Sequence, residues 1–600
     1  MTMASVVLPM SGTVDDGDLR DIHGRAHAAR PVAFCGMAGI FTPAPAAGGI
    51  AVLFVSPWGL EDLCVRKFWR VIAGHLAERN VASLRFDLPG TGDSLDPASC
   101  GCGLRLWEDA VVQAAGELML RSGAARIVLV GQGLGAALAV RVSARLDALG
   151  GMALLAPVVS GRFYLREVSA MARMVDDSLG LAEDQRRTEG VSIAGFTMPE
   201  AIAADVKRLD LMAVNALPAV PCLVAGRAPR PADGALADRF TTLGVSVERL
   251  AFEGYEALTA NPSVSIIPEN IAVRLADWIV GLAPGSATAA VKAPLPGGVL
   301  EGGTFIEEPV RFGREMPLYG VLCAPAGPRA GATVLFLSTG YDRHAGWGRA
   351  TVTMARQLAA RGIASLRFDG ANVADSPPVP DAPQQVLYGA GQEEDVAAAL
   401  DFLMQRELGP VVLGGRCSGA YLSFRAAVAD PRVSGAVIVN PYTFHWQPGR
   451  DVDAALQTGA RALSDYGQRA LQWATVRRLF KGEIDVRRAF ANIVKAASRK
   501  ALAPFMLSLR HYTQEGRHVH TAFRALRKRS SEVTLVYSEN DVGWEHFSSY
   551  FGKRGERLKD YPDVRLVVIS NADHNLTPPH ARKAYLDAVE QMALRFASRG

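Results

Sequence analysis

The sequence predicts an α/β fold built twice: two tandem domains, each a mainly parallel sheet flanked by helices and carrying a helical lid insertion. Three observations predict it. Apolar, β-branched runs that read as strands alternate with helical patterns, as expected of a parallel sheet covered by helices. The hexapeptide Ala82-Ser83-Leu84-Arg85-Phe86-Asp87 returns letter for letter as Ala364-Ser365-Leu366-Arg367-Phe368-Asp369, and such internal repetition marks duplicated architecture. A Pro-, Gly- and Ala-rich stretch over residues 284–303 has few large apolar residues and separates the copies, as a linker does. Six hundred residues are also too many for a single core.

In chain order, the first domain (residues 1–283) begins its pattern with a strand at Val52-Leu53-Phe54-Val55-Ser56, a helix over Phe68 to Arg79 and the strand at Ala82 to Asp87. The run Val128-Leu129-Val130 then enters a glycine-rich turn, Gly131-Gln132-Gly133-Leu134-Gly135. Residues 158–217 lack strong strand signals and read as a helical lid, after which Cys222-Leu223-Val224-Ala225 is the next strand. The second domain (304–600) repeats the order. Val334-Leu335-Phe336-Leu337-Ser338 parallels the first strand, a helix covers Thr351 to Arg361, and Pro410-Val411-Val412-Leu413-Gly414 leads into a second tight turn. A lid over 443–530 precedes strands at Val533 to Tyr537 and Val564 to Ile569 and a final helix.

That second turn is Gly415-Arg416-Cys417-Ser418-Gly419. A Gly-x-nucleophile-x-Gly turn runs sharply from strand to helix, holds its central side chain out over the sheet, and needs small flanks to avoid clashes. The centre is Cys417; Ser418 would need glycine at Arg416 and Ala420. The loop Ser538-Glu539-Asn540-Asp541 offers a carboxylate, with Asp541 the candidate and Glu539 and Asp573 the alternatives. The loop Ser570-Asn571-Ala572-Asp573-His574-Asn575 offers His574 as a base. Nucleophile, acid, then histidine is one of three unrelated orders in which such sets occur.

With this order and turn, residues 305–600 resemble the α/β-hydrolase superfamily, and the Cys-Asp-His set resembles its dienelactone-hydrolase branch. The resemblance implies Cys417 as nucleophile, His574 as base and Asp541 as the residue orienting the imidazole. It also implies an oxyanion hole of two backbone amides: one from Ser418, the other from Tyr341 or Gly340 in the loop Ser338-Thr339-Gly340-Tyr341. Serine usually holds the nucleophile's place in this superfamily; here a cysteine does. At the matching positions the first half has Gly133, Pro229 and Glu256, so it reads as a degenerate hydrolase domain kept for packing, for a partner or to wall the second site. Its Pro57-Trp58-Gly59-Leu60-Glu61-Asp62-Leu63 and Asp87 to Ser94 segments resemble hydrolases that accompany exosortase and exopolysaccharide gene sets, which implies work beside acyl-activating enzymes and carrier proteins.

Composition narrows the setting. A net charge of +4 with 49% hydrophobic and 21% charged residues is that of a globular chain. Residues 1–24 lack a basic stretch followed by an apolar core, no run approaches a membrane span, and seven scattered cysteines make no disulfide framework. The expectation is a cytoplasmic protein without membrane span, metal or cofactor; Cys100-Gly101-Cys102 is too close and isolated for a zinc site. Between Arg469 and Arg529 stand fifteen Lys/Arg against three Asp/Glu. Clusters such as Arg477-Arg478, Arg487-Arg488, Arg499-Lys500 and Arg527-Lys528-Arg529 read either as a solvated lid surface or as a patch for coenzyme A phosphates or an acidic acyl-carrier protein. Nothing pairs this charge with a nucleic-acid fold. Asp87, Asp369, Asp93-Ser94 and Asp375-Ser376 recur in both halves and read as structural turns.

The functional expectation is an acyl hydrolase or acyltransferase acting on an ester, on a coenzyme A or carrier-protein thioester, or on a lactone through a thioester at Cys417. The alternatives are a dienelactone-type lactone hydrolase and a non-catalytic binding or scaffold protein.

Overall fold

Two large sheets carry the repeats. The computed structural model describes residues 29–45, 49–178, 181–186, 190–260, 265–283, 295–313, 317–380, 387–447, 513–539 and 541–596. The chain divides into two compact units: residues 1–172, 188–321 and 371–382 in the first, and 173–187, 322–370 and 383–600 in the second.

The first sheet has eight strands in the order β1-β2-β4-β3-β5-β6-β9-β10. They are β1 (Arg30–Phe34), β2 (Met37–Thr42), β3 (Ile50–Val55), β4 (Ala82–Phe86), β5 (Arg126–Gln132), β6 (Leu149–Leu155), β9 (Cys222–Gly226) and β10 (Val247–Ala251). The β1–β2 and β2–β4 pairs are antiparallel, and β4, β3, β5, β6, β9 and β10 run parallel. All six residues of β3 are buried, which is why this strand reads as an unbroken apolar run rather than an alternating one. Helices α1 (Leu60–Glu78), α2 (Arg105–Ser122) and α3 (Leu134–Val142) follow β3, β4 and β5 in turn. In α1, Val65, Phe68, Trp69, Ile72 and Leu76 recur at three- and four-residue spacing on one face, the stripe that seats a helix on a sheet. Trp69 lies 5.0 Å from Phe54 of β3 and 5.6 Å from Phe68.

The insertion after β6 differs from the expected helical lid. It holds α4 (Gly161–Ser178) and α5 (Glu200–Arg208), and between them a small antiparallel pair, β7 (Val191–Ile193) with β8 (Phe196–Met198). Three-residue strands are too short to show a period. The unit closes with α6 (Pro231–Thr242), α7 (Tyr255–Thr259) and α8 (Glu269–Gly281).

The second sheet has nine strands in the order β11-β12-β13-β15-β14-β16-β17-β18-β19. They are β11 (Leu300–Glu301), β12 (Phe305–Phe312), β13 (Leu318–Pro325), β14 (Thr333–Leu337), β15 (Ser365–Phe368), β16 (Val411–Arg416), β17 (Val433–Val439), β18 (Glu532–Ser538) and β19 (Val564–Ile569). From β15 to β19 every neighbour is parallel. Helices α9 (Ala350–Ala359), α10 (Ala390–Gln405), α11 (Ser418–Ala429), α12 (Gln514–Arg529), α13 (Val542–Phe551) and α14 (Pro579–Arg595) alternate with these strands. Residues 448–512, with the Arg477-Arg478, Arg487-Arg488 and Arg499-Lys500 clusters, lie outside the described residues. The Arg527-Lys528-Arg529 cluster ends α12 and is exposed.

The stretch expected as linker ends in structure, since Leu300 and Glu301 form β11 and pair with Glu307 and Ile306. Residues 371–382, from the second repeat's sequence, cluster with the first unit. There the Asp375 carboxylate accepts from Arg66 Nε at 2.9 Å and from Arg85 Nε at 2.6 Å, while Arg66 Nη1 reaches Asp87 at 3.0 Å. Asp87 also accepts from the Asp93 amide at 2.9 Å, and Ser94 Oγ donates to the Asp87 carbonyl at 2.6 Å. These repeated aspartates therefore hold turns and buried arginines in place.

Candidate active site

The second unit's site begins at the end of β16. Cys417 sits between that strand and α11 with φ 55° and ψ −116°, a strained conformation that persists only where surrounding contacts impose it. Its amide donates to the Val439 carbonyl at 3.0 Å. The flanking glycines are steric requirements: a Cβ on Gly415 would lie 2.2 Å from the Gly419 carbonyl oxygen, and one on Gly419 would lie 2.3 Å from that of Leu337. Ser418, at the first position of α11, is buried, and its Oγ accepts from the Gly340 amide at 2.5 Å. Thr339 Oγ1 donates to the Arg416 carbonyl at 3.0 Å. The loop after β14 is thus tied to the turn from both sides.

Asp541 and His574 meet beside this turn. His574 Nδ1 donates to Asp541 Oδ2 at 2.5 Å, with the Asp541 carboxylate fully buried. The other oxygen, Oδ1, caps α13 by accepting from the Gly543 amide at 2.8 Å, so the helix fixes the orientation of the carboxylate. The other two carboxylates do different work. Glu539 is exposed, and Asp573 accepts from the Asn575 and Thr577 amides and from Thr577 Oγ1, shaping the histidine loop. His344 is buried against Asp369, 2.9 Å from Nδ1 to Oδ1, and the His445 ring lies 4.8 Å from that of His518, tilted by 57°.

Charge couples the thiol to the imidazole. Burial opposes ionisation of Cys417, but the His574 charge and hydrogen bond, Arg416 and the Ser418 amide outweigh it, and the thiol is held below its ordinary pKa. Burial likewise works against the imidazolium, yet Cys417 and Asp541 together lift His574 to about 10. Both shifts favour the same pair, a thiolate beside an imidazolium, the state in which sulfur is nucleophilic.

Three residues at this site carry no sequence motif. Asn440, buried with φ 47°, donates from Nδ2 to Ser538 Oγ and to the His574 carbonyl, both at 3.0 Å, and accepts from the Ser538 amide at 2.8 Å. It ties the acid strand to the histidine loop. Arg416 donates to Asn575 Oδ1 and to the His574 carbonyl on the same loop. Tyr388, 4.8 Å from both Tyr421 and Trp446, has its phenol held above the ordinary value by burial and then by the charge on Cys417. The usable signals were slight: an Asn-Pro step after β17, and the arginine inside the turn.

The first unit keeps the turn and fills the site. Gly133 has φ 56° and ψ −121°, close to Cys417, and donates its amide to Leu155 as Cys417 does to Val439. A Cβ there would lie 2.6 Å from Glu61 Oε2, so Glu61 occupies the space over the turn. Glu61 accepts from Gln132 Nε2 at 2.8 Å and from the Tyr255 hydroxyl at 3.3 Å. Burial raises its pKa against these hydrogen bonds. Arg227 lies over the Tyr255 ring at 5.3 Å and pairs with Asp233 at 2.9 Å. Glu256, the expected counterpart of His574, is exposed, and the neighbouring Tyr255 reaches Glu61 instead.

Among the described residues no group of three or more His, Cys, Asp or Glu is placed to hold a metal ion, and no helix is long and apolar enough to cross a membrane. Among the described residues no cysteine forms a disulfide.

The model of the alpha/beta hydrolase family matches residues 52–302 and 334–588. No curated protein matches the chain. Among solved structures, an esterase from Pyrococcus furiosus is similar at 17% identity and TM-score 0.32, over 49% of this chain and 92% of that one. A dienelactone hydrolase from Anabaena variabilis follows at 15% identity and TM-score 0.30, over 49% and 99%. An alpha-beta serine hydrolase homologue from Coxiella burnetii has 15% identity and TM-score 0.27, over 48% and 96%.

Proposed function

This chain belongs to the alpha/beta hydrolase family, matched twice along its length, and on that premise we propose that its second half is an acyl hydrolase or acyltransferase whose nucleophile is Cys417. The carrying observation is that His574, bonded to Asp541 at 2.5 Å, lies where its charge holds the Cys417 thiol below its ordinary pKa. Geometry of this kind, rather than sequence position, defines a nucleophile–base–acid set.

The Cys417 thiolate attacks the acyl carbon, and the carbonyl electrons move to oxygen. The Ser418 amide and a second donor stabilise that oxyanion; in other enzymes, loss of one such donor costs about 2.7–4 kcal/mol. Because the Gly340 amide is committed to Ser418 Oγ, Tyr341 supplies the second donor. Collapse breaks the bond to the leaving group, which takes the proton from the His574 imidazolium, leaving a thioester on Cys417. Neutral His574 then removes a proton from water or an acceptor as that nucleophile attacks, and Asp541 holds the imidazole tautomer throughout. The substrate is an ester, a thioester on coenzyme A or a carrier protein, or a lactone. The first half is silent: Gly133 offers no nucleophile, and Glu61 stands in the space above it.

Intact mass after brief exposure to a panel of acyl thioesters tests this on wild type, Cys417→Ala and His574→Ala. The expected result is an acyl adduct absent only from Cys417→Ala and persistent in His574→Ala. Absence of adduct and of substrate consumption across esters, thioesters and lactones would favour a scaffold.

A further inference from the structure

A cavity of about 60 Å³ lies between the loop after β14, the start of α9, the histidine loop and α14. A single water needs roughly 10–15 Å³ in this measure, so several fit. Its polar lining is rich in donors: the guanidinium groups of Arg343, Arg416 and Arg582 and the indole of Trp347. Two of these lack the partner their chemistry calls for. Trp347 Nε1 is buried without an acceptor among the described residues, and indole nitrogen can only donate. Among the described residues Arg416 donates only from Nη1, to Asn575 Oδ1 and the His574 carbonyl, both uncharged, and it has no ion-pair partner. Arg416 is half-buried, and a guanidinium is well matched by a carboxylate or phosphate, whose paired oxygens fit its fork.

We propose that this cavity is a binding subsite for a small oxyanion, a carboxylate or phosphate group, held by the Arg416 guanidinium and the Trp347 N–H. The one carboxyl in the lining is Asp342, pushed up to about 6 by burial against the pull of Arg416. The occupant is either a free anion or a carboxylate borne by the substrate. Because Arg416 also holds the His574 carbonyl, an anion here steadies the loop that presents the imidazole. Occupancy itself does not depend on Cys417 being the nucleophile.

The test uses the full chain carrying Cys417→Ala, which removes turnover, so that failure of the subsite is separate from failure of the proposed chemistry. Inorganic phosphate, acetate and the monomethyl ester of succinic acid are titrated at ionic strength held constant with chloride. Calorimetry and the melting temperature are followed, the latter rising with ligand that binds the folded state. Saturable binding is expected, weakened at least tenfold by Trp347→Phe and by Arg416→Gln. Saturation by phosphate or acetate identifies a free anion as sufficient; saturation by the succinate ester alone identifies a substrate-borne carboxylate; either upholds the oxyanion site. Should Arg416→Gln fail to fold, Trp347→Phe decides, since it keeps the ring and removes only the donor. A response no different from chloride, or equal affinity in Trp347→Phe and the parent, overturns the proposal.

Discussion

At the scale of single residues, the site's chemistry turns on which effect wins at Cys417. Burial alone would leave the thiol protonated, and the facing imidazolium reverses that. The rate of alkylation of Cys417 by iodoacetamide should therefore have its midpoint below the ordinary thiol value of about 8.5. In His574→Ala the burial remains and the opposing charge is gone, so the midpoint should rise above that of the wild type; an unmoved midpoint would contradict the pairing. With His574 lifted to about 10, the proton it gives the leaving group is retained until near that pH, so acylation should hold through the mild alkaline range and fall above it. Asn440 makes a second case. Its replacement by alanine leaves the buried Ser538 amide without its acceptor, at a cost of about 1–3 kcal/mol, and leaves Arg416 as the remaining donor to the His574 carbonyl. Asn440→Ala should lower the melting temperature and kcat/KM while Cys417 remains alkylatable; wild-type kcat/KM would show that the histidine loop holds without it. Cys417 could be singled out in the sequence because glycines at fixed offsets mark a turn. Asn440, Arg416 and Tyr388 could not, because their partners stand far away in the chain.

At the scale of elements, the strand–turn–helix unit of β16 and α11 is set by close approach of backbones. Gly419→Ala would place a methyl 2.3 Å from the Leu337 carbonyl oxygen, pushing α11 off β14 and moving the Ser418 amide with it. Overpacking of this kind costs about 1–3 kcal/mol. Both the melting temperature and acylation of Cys417 should fall in Gly419→Ala, the second by more than the lost folded fraction explains; normal acylation in the remaining folded protein would show that the turn tolerates the shift. The same close approach made these elements readable, since the glycines of the first turn recur in the second and long apolar runs mark the buried parallel strands. The β7–β8 pair was not readable, with three residues per strand and no period. The first unit's filled site was readable only in part: Gly133 stands out, whereas Glu61, Arg227 and Tyr255 meet only once the start of α1, the loop after β9 and the start of α7 come together.

At the scale of the whole chain, the repeat was legible but the division into compact units was not, because residues 371–382 cluster away from the repeat that encodes them. The physical reason is electrostatic. Asp375, 2% exposed at its side chain, is bonded to Arg66 and Arg85, themselves 1% exposed, and Arg66 also pairs with the buried Asp87. Removing one partner from such a set leaves an uncompensated buried charge, which costs about 3–5 kcal/mol, far more than an exposed pair is worth. Asp375→Asn keeps the shape and an acceptor but removes the charge. It should lower the temperature of the first unfolding transition well beyond the effect of Asp587→Asn, which breaks the exposed Lys583–Asp587 pair in α14. Calorimetry of both variants makes the comparison within one chain, and equal shifts would mean that the buried set contributes no more than a surface pair. A larger shift for Asp375→Asn would explain why Asp375 follows its arginines rather than its own repeat: neutralising two buried guanidinium groups outweighs continuity along the chain.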